Sequence, residues 1–128
     1  MKNEVSVAIE ELQAQFEGAS IASREDGQGG AFVVLEPVNL GARFEPSETW
    51  MGFHITAQYP YADIYPVFVG GDIVRVDGRP FKAPVTPNHK FEGRTALQVS
   101  RRNSSAQTGL QTAKTKILKI INFLESMQ

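Results

Sequence analysis

The sequence predicts a single α+β domain over residues 1–128. Three observations predict it: an amphipathic helical pattern near each end of the chain, short apolar runs between the two, and turn residues that separate those runs. A hydrophobic fraction of 41% and a charged fraction of 21% are typical of a globular domain. The expected order is an N-terminal helix, an antiparallel meander, an irregular loop and a C-terminal helix.

The two helices are predicted from the three- and four-residue spacing of their apolar side chains. The first covers residues 3–17, with Gly18 as a stop signal, and its stripe is Val5, Ala8, Ile9, Leu12 and Phe16. The second has the stripe Leu110, Ala113, Ile117, Ile120, Ile121 and Leu124. Thr108 and Gln111 have the spacing of a capping box at its start. Its lysines, Lys114, Lys116 and Lys119, are expected to form a solvated face.

The strands are predicted from apolar runs and alternation. A strand begins at Ile21, residues 24–30 form a turn, and residues 31–35 return. Residues 53–59 alternate between apolar and polar side chains, as in a half-buried strand. Shorter strands are expected at 67–69 and 73–76, and a further extended segment at 95–100. Three prolines favour an irregular loop over residues 79–92.

The composition argues against several classes of function. With 13 basic and 14 acidic residues the net charge is −1, which is unlike a sequence-independent nucleic-acid binder. The absence of Cys excludes disulfides and Cys-based zinc sites, and two His with no HExxH pattern predict no metal site. No apolar run approaches the roughly 20 residues that cross a bilayer, and no secretory signal is visible. We therefore expect a cytoplasmic protein that binds neither nucleic acid nor membrane.

Residues 86–97, Thr-Pro-Asn-His-Lys-Phe-Glu-Gly-Arg-Thr-Ala-Leu, are the most informative segment. They resemble the active-site segment of ubiquitin-conjugating enzymes, which carries His-Pro-Asn, a short loop, Gly, two further residues, and then the catalytic Cys followed by Leu. The matching positions are Pro87-Asn88, Gly93 and Leu97. The catalytic Cys of the family corresponds to Ala96, and Thr86 replaces the family's His.

A second segment supports the resemblance. Tyr59-Pro60-Tyr61, followed by Tyr65-Pro66-Val67-Phe68, is similar to the family's Tyr-Pro, Pro-Pro and strand segment, with Ala62-Asp63-Ile64 as an insertion. The order of the predicted elements is also that of the ubiquitin-conjugating and RWD-like fold. The chain looks most like compact bacterial relatives that work with ubiquitin-like modifiers. Two departures are an acidic N-terminal helix and a single helix after the active-site segment.

The resemblance implies a transferase without a cofactor. Such an enzyme accepts a ubiquitin-like protein as a Cys thioester from an ATP-dependent activating enzyme and passes it to an amine. Ala96 offers only a methyl group, so this Cys-free chain forms no thioester. Asn88 corresponds to the family's Asn, whose amide supports the oxyanion or organises the loop. By analogy with the bacterial relatives, a role in phage defence is implied.

Three hypotheses follow from Ala96. The favoured one is an enzyme whose nucleophilic Cys was replaced by design. The alternative is a naturally inactive member of the superfamily that scaffolds a modifier or a conjugation complex. The third is an unrelated α+β domain, which a buried Ala96 far from any cleft would favour.

Several side chains have both a functional and a structural interpretation. Asn88 is as easily a turn residue as a catalytic one. Arg101 and Arg102 are candidates to bind acidic residues of a partner, or else a solvated pair at a strand end. Tyr61 and Tyr65 are candidate interface anchors, or else packing residues of the loop.

Overall fold

A computed structural model describes residues 1–102 and 111–127. It confirms the α+β class, with a helix at each end of a mainly antiparallel arrangement of strands. The helices are α1 (Asn3–Gln15) and α2 (Ala113–Glu125). The strands are β1 (Ser20–Glu25), β2 (Ala31–Asn39), β3 (Phe44–Glu45), β4 (Glu48–Ile55), β5 (Val67–Gly70), β6 (Val74–Arg75), β7 (Val85–Phe91) and β8 (Arg94–Val99). Neither helix in the described part of the chain has the length and apolar character needed to span a bilayer.

The main sheet has six antiparallel strands in the order β1-β2-β4-β5-β8-β7. The first four follow the expected meander. The last hairpin is attached the other way round, because β8 and not β7 pairs with β5. The short strands β3 and β6 pair with each other in a separate two-stranded sheet.

The main core lies between one face of the sheet and the two helices. Helix α1 contributes Val5, Ala8 and Leu12, which its three- and four-residue spacing places on one stripe. Alternation along the strands supplies the other side of the core, including Val33, Leu35, Met51, Phe53, Val67, Val69, Leu97 and Val99. The opposite side chains of the same strands therefore point to the second face of the sheet, here called the outer face.

The hairpin of β7 and β8 extends beyond β5 and crosses the outer face. At its tip, Glu92 forms an ion pair with Arg24 of β1, with an N–O distance of 2.7 Å. Arg94, also at the tip, forms two hydrogen bonds of 3.0 and 3.1 Å with the carboxylate of Glu36 in β2. The hairpin thus covers part of the outer face.

The strand predicted at 53–59 begins and ends earlier than expected, at Glu48–Ile55. Trp50, Met51, Gly52 and Phe53 are all buried, so the strand is covered on both faces and shows no alternation where it starts. After Ile55 the backbone turns, with the amide of Tyr59 donating to the carbonyl of Thr56.

The prediction of an irregular loop over residues 79–92 was wrong in its second half, because Val85–Phe91 is strand β7. β7 is the last strand of the sheet, and its pairing with β8 shifts register between Thr86 and His89. Pro87 lies inside this irregularity at the sheet edge, where a missing N–H is tolerated. The segment that resembles an active-site loop is therefore a β-hairpin.

Helix α2 differs from its prediction in its start and in one lysine. Thr108 lies outside the described residues, and the N-cap of α2 is Thr112, whose hydroxyl accepts from the amide of Thr115. Lys116 is not solvated but 3% exposed. Its ammonium contacts the carboxylate of Asp63 at 3.0 Å and donates to the carbonyl of Arg101.

Candidate functional site

Ala96, the position that corresponds to the catalytic Cys, lies inside β8. It pairs with Gly70 of β5 on one side and with His89 of β7 on the other. Its neighbour Leu97 belongs to the main core, so Ala96 is directed to the outer face. There it is only 2% exposed.

An aromatic cluster encloses Ala96 on the outer face. Its buried members are Trp50 of β4 and Phe91 of β7, and Phe32 and Phe68 pack against them. The ring centroids of Phe68 and Phe91 are 5.0 Å apart, and those of Trp50 and Phe91 are 6.3 Å apart. Two guanidinium groups cover the cluster, that of Arg24 over Phe32 and that of Arg94 over Trp50. Position 96 is therefore shielded from solvent by rings.

Asn88 lies on the neighbouring strand, next to the residue that pairs with Ala96. Its backbone has a φ of 69°, in the left-handed region that Asn tolerates better than most residues. It occupies the register shift of β7, between Thr86 and His89. These two flanking side chains contact each other, with 2.9 Å between the Thr86 hydroxyl and His89 Nε2. Asn88 and Ala96 thus lie on paired strands, but Asn88 is exposed whereas Ala96 is buried, and the conformation of Asn88 meets a structural need.

Arg101, Arg102 and Tyr65 form a second group, here called the basic–aromatic surface. The guanidinium of Arg102 lies 3.8 Å from the ring centroid of Tyr65, and that of Arg101 lies 4.4 Å from the ring centroid of Phe123. The buried Lys116 holds the carbonyl of Arg101 in place. Both arginines are exposed, so their remaining N–H groups face solvent.

Tyr61, the remaining predicted partner-binding residue, is separate from that surface. Its side chain is 82% exposed. It lines a shallow depression together with Lys2, Glu4 and Gln58. The prediction grouped Tyr61 with Tyr65, but the structure describes no contact between Tyr61 and Arg101, Arg102 or Tyr65.

A cleft of about 280 Å³ lies beside β8, next to the residue that precedes Ala96 in the chain. Thr95 forms part of its wall, and the residues that matter for its chemistry are Glu36, Glu48, Thr49, Trp50, Asp72 and Arg94. They come from β2, from β4, from the turn after β5 and from β8.

The charge of the cleft is predominantly negative. Arg94 is engaged by Glu36, and this hydrogen bonding lowers the pKa of the Glu36 carboxyl and raises the pKa of Arg94. Glu48 and Asp72 are exposed, and within the described residues neither forms an ion pair. Three carboxylates thus face one guanidinium: Glu36 binds it directly, and the charge of Asp72 also contributes to the raised pKa of Arg94.

The space above Gly70 is surrounded by polar atoms. A methyl group placed on Gly70 would collide with Thr49 Oγ1, and it would lie 3.0 Å from Asp72 Oδ1 and 3.3 Å from Trp50 Nε1. Trp50 is only 5% exposed, yet its indole N–H donates to no group in residues 1–102 or 111–127. The Trp50 side chain forms part of the wall of the cleft.

The sequence offered little local signal for the cleft. The charged residues of the cleft are far apart in the chain: Glu36, Glu48, Asp72 and Arg94. Arg94 reaches the others only because the hairpin of β7 and β8 crosses the outer face. The pair Gly70-Gly71 was the one available hint, because adjacent glycines in a strand indicate a close approach of another group. Among the described residues, no cluster of three or more His, Asp or Glu side chains has an arrangement that holds a metal ion.

Comparisons with known protein families, with curated proteins and with solved structures found no match for this chain.

Proposed function

We propose that this chain is a non-catalytic module of the ubiquitin-conjugating and RWD-like type, which scaffolds a ubiquitin-like protein or a conjugation complex. The superfamily part of the proposal rests on the sequence resemblance of residues 59–68 and 86–97, and the observation that carries the non-catalytic part is the position of Ala96. It supplies no nucleophile, and its side chain lies beneath Trp50 and Phe91 with 2% exposure. A thioester carrier instead needs a sulfur that two large protein partners can reach.

The basic–aromatic surface is the proposed contact with the partner. Arg101 and Arg102 are exposed, and aromatic rings hold both guanidinium groups. A guanidinium that is already oriented loses less side-chain entropy when it binds a carboxylate. The proposed partner therefore presents acidic residues to this surface.

Binding of a candidate ubiquitin-like protein tests this role. Isothermal titration calorimetry would compare the present chain with the double variant Arg101→Ala/Arg102→Ala. The control is Arg79→Ala/Lys82→Ala, which removes the same charge from two exposed positions elsewhere. We expect the first variant to weaken binding by about tenfold or more and the control by much less. Equal affinities for both variants would contradict the proposed contact.

The catalytic hypothesis is the second candidate function, and two observations favour it. Asn88 and position 96 lie on paired strands of one hairpin. Thr95, the residue before position 96, lines a cleft that is large enough for a side chain. In this account the native residue at position 96 is Cys, and the protein transfers a ubiquitin-like modifier to an amine.

A thioester assay separates the two candidates. The Ala96→Cys variant and the present chain would each be mixed with ATP, a charged activating enzyme and the modifier, and then run on a non-reducing gel. The scaffold function predicts no thiol-sensitive adduct with either protein. An adduct that forms only with Ala96→Cys would favour the transferase.

A further inference from the structure

Strand β6 buries its charged residue and exposes its apolar neighbours. Val74 and Val76 are 57% and 62% exposed, whereas the side chain of Arg75 between them is only 6% exposed. Arginine is rarely buried unless its N–H groups have acceptors. The scaffold function does not use this strand, so the burial of Arg75 needs a separate reason.

The protein meets only part of the hydrogen-bonding capacity of Arg75. Its Nη2 donates to Asp77 Oδ2 at 2.9 Å. A guanidinium group has five N–H donors. Among residues 1–102 and 111–127, the structure describes no second acceptor for Arg75. The other donors of this buried group therefore call for a further acceptor.

Arg75 lines a cleft of about 230 Å³, here called the β6 cleft, together with Arg43 and Asp77. Arg43 is exposed, and its Nε donates to the carbonyl of Glu125 at the end of α2 at 2.8 Å, which orients its guanidinium. Glu125 itself does not line the cleft. Two guanidinium groups and one carboxylate leave a single positive charge on the wall, which favours a monoanion.

The rest of the wall of the β6 cleft is apolar. It consists of Ala42, Phe44, Val76 and Met127. Phe44 is buried, and the half-buried Met127 packs against the main core. The volume is below the roughly 300–1,000 Å³ of sites for drug-sized ligands, so the ligand is small. The wall thus suits a compact apolar group joined to an acidic one.

A carboxylate fits this cleft better than a phosphate group or a metal ion. Its two oxygens match the paired N–H groups of a guanidinium, and its single charge matches that of the wall. A phosphate group carries up to two negative charges and would lie near the carboxylate of Asp77. A metal ion would be repelled by Arg43 and Arg75.

We propose that the β6 cleft binds a small carboxylate with an apolar body, with the carboxylate held by Arg75 and Arg43 and the body packed against the apolar wall. The ligand is a free aliphatic acid or the C-terminal residue of a peptide, because both present these groups. The site goes beyond the scaffold function and uses no residue of the basic–aromatic surface.

Met127 makes the site measurable, because the chain has only three methionines. Met1 and Met51 do not line the cleft, so their methyl signals are internal controls. The probes are isovalerate and acetyl-Gly-Leu, and the matched controls are the corresponding amides, which lack the charge. The readout is the ¹H–¹³C signal of the Met127 methyl group during titration.

We expect at least one carboxylate to shift the Met127 signal saturably, with a dissociation constant on the order of 1 mM, and its amide to cause no shift. Tighter binding of acetyl-Gly-Leu than of isovalerate would assign the site to a peptide C-terminus. Equal or weaker binding of the peptide would assign it to a free acid.

Three variants test the guanidinium groups. Arg75→Lys keeps the charge but lacks the planar pair of donors, and we expect it to weaken carboxylate binding by about tenfold. Arg43→Gln, at an exposed position, should weaken it by about threefold. The control is Arg79→Gln, because Arg79 lies 4.0 Å from Asp77 but does not line the cleft, and its effect should stay below about twofold. Circular dichroism confirms that each variant is folded.

Several outcomes would overturn the proposal. These are the absence of a saturable Met127 shift with both carboxylates, equal shifts for each acid and its amide, and unchanged affinity in Arg43→Gln and in folded Arg75→Lys. Displacement of the carboxylate by millimolar inorganic phosphate at constant ionic strength would instead assign the two guanidinium groups to a phosphate group.

Discussion

The ring of Phe91, at the end of β7, lies directly over Gly52 in the middle of β4. A methyl group on Gly52 would overlap two carbon atoms of this ring and would lie 3.0 Å from the Trp50 ring. The hairpin therefore packs closely on the sheet because Gly52 has no side chain. This contact closes the aromatic cluster over Ala96.

Gly52→Ala is expected to destabilise the fold. The added methyl group forces the Phe91 ring out of place, and overpacking of this kind costs about 1–3 kcal/mol of the free energy of unfolding. Urea denaturation measures it. The control is Gly18→Ala, because no atom lies within 4 Å of the corresponding methyl position. In Phe91→Leu, which removes most of the ring, the cost of Gly52→Ala should be smaller, and a fully additive double variant would contradict the contact.

Tyr59→Phe is expected to weaken the start of α2. The Tyr59 hydroxyl accepts a hydrogen bond of 2.9 Å from the buried amide of Ala113, the first residue of the helix. Removing the hydroxyl leaves this N–H without a partner, at a cost of about 1–2 kcal/mol. The control is Tyr61→Phe, at a side chain that is 82% exposed. Equal urea midpoints for the two variants would argue against the role of Tyr59.

Lys116→Met is expected to destabilise the protein although it replaces a charged residue with an apolar one. The buried ammonium contacts the carboxylate of Asp63 and the carbonyl of Arg101, and its loss should cost about 2–3 kcal/mol. The matched control, Lys114→Met, changes a less buried lysine of the same helix. A Lys116→Met protein as stable as the control would show that the buried contacts contribute little.

Asp26 is expected to contribute to the acid dependence of stability. Its carboxylate contacts His54 Nε2 at 2.8 Å and accepts from the amides of Gln28 and Gly30. These contacts lower the pKa of Asp26 from 3.8 to about 2. The contact with His54 contributes most, and the amide of Gln28 contributes next. The pKa of Asp26 is lower in the folded protein than in the unfolded chain. The carboxylate therefore stabilises the fold above pH 3.8, and this stabilisation is lost as the pH falls toward 2.

Asp26→Asn removes this titration. We expect the free energy of unfolding of the unchanged protein to fall more steeply between pH 4 and pH 2 than that of the variant. Urea denaturation at several pH values measures both curves. Parallel curves through this range would contradict the assignment.

The helices were predictable because each buries one stripe against the sheet, which the sequence records as three- and four-residue spacing. The start of β4 could not be predicted from the sequence, because its residues are buried on both faces of the sheet and therefore show no alternation of apolar and polar side chains. β7 was missed because Pro87 argues against a strand interior, whereas the edge position and the register shift accommodate it.

The candidate site was predictable only where its residues are close in sequence. The motif of residues 86–97 does form one local unit, in which Asn88 and Ala96 lie on paired strands. The rings that enclose Ala96 and the charges of the cleft come from separate strands. Their meeting depends on the path of the hairpin across the outer face, and no local pattern encodes this path.

The reactivity of a single thiol at position 96 tests the central claim, that this position is enclosed. The chain has no Cys, so Ala96→Cys and the control Thr95→Cys, at an exposed neighbour, each carry only one thiol. Their reaction rates with Ellman's reagent would be compared in native buffer and in urea. We predict that the native Ala96→Cys thiol reacts at least about 100-fold more slowly than that of Thr95→Cys, and equally fast once unfolded. Similar rates in the folded proteins would contradict the enclosure and return position 96 to the role of an accessible nucleophile.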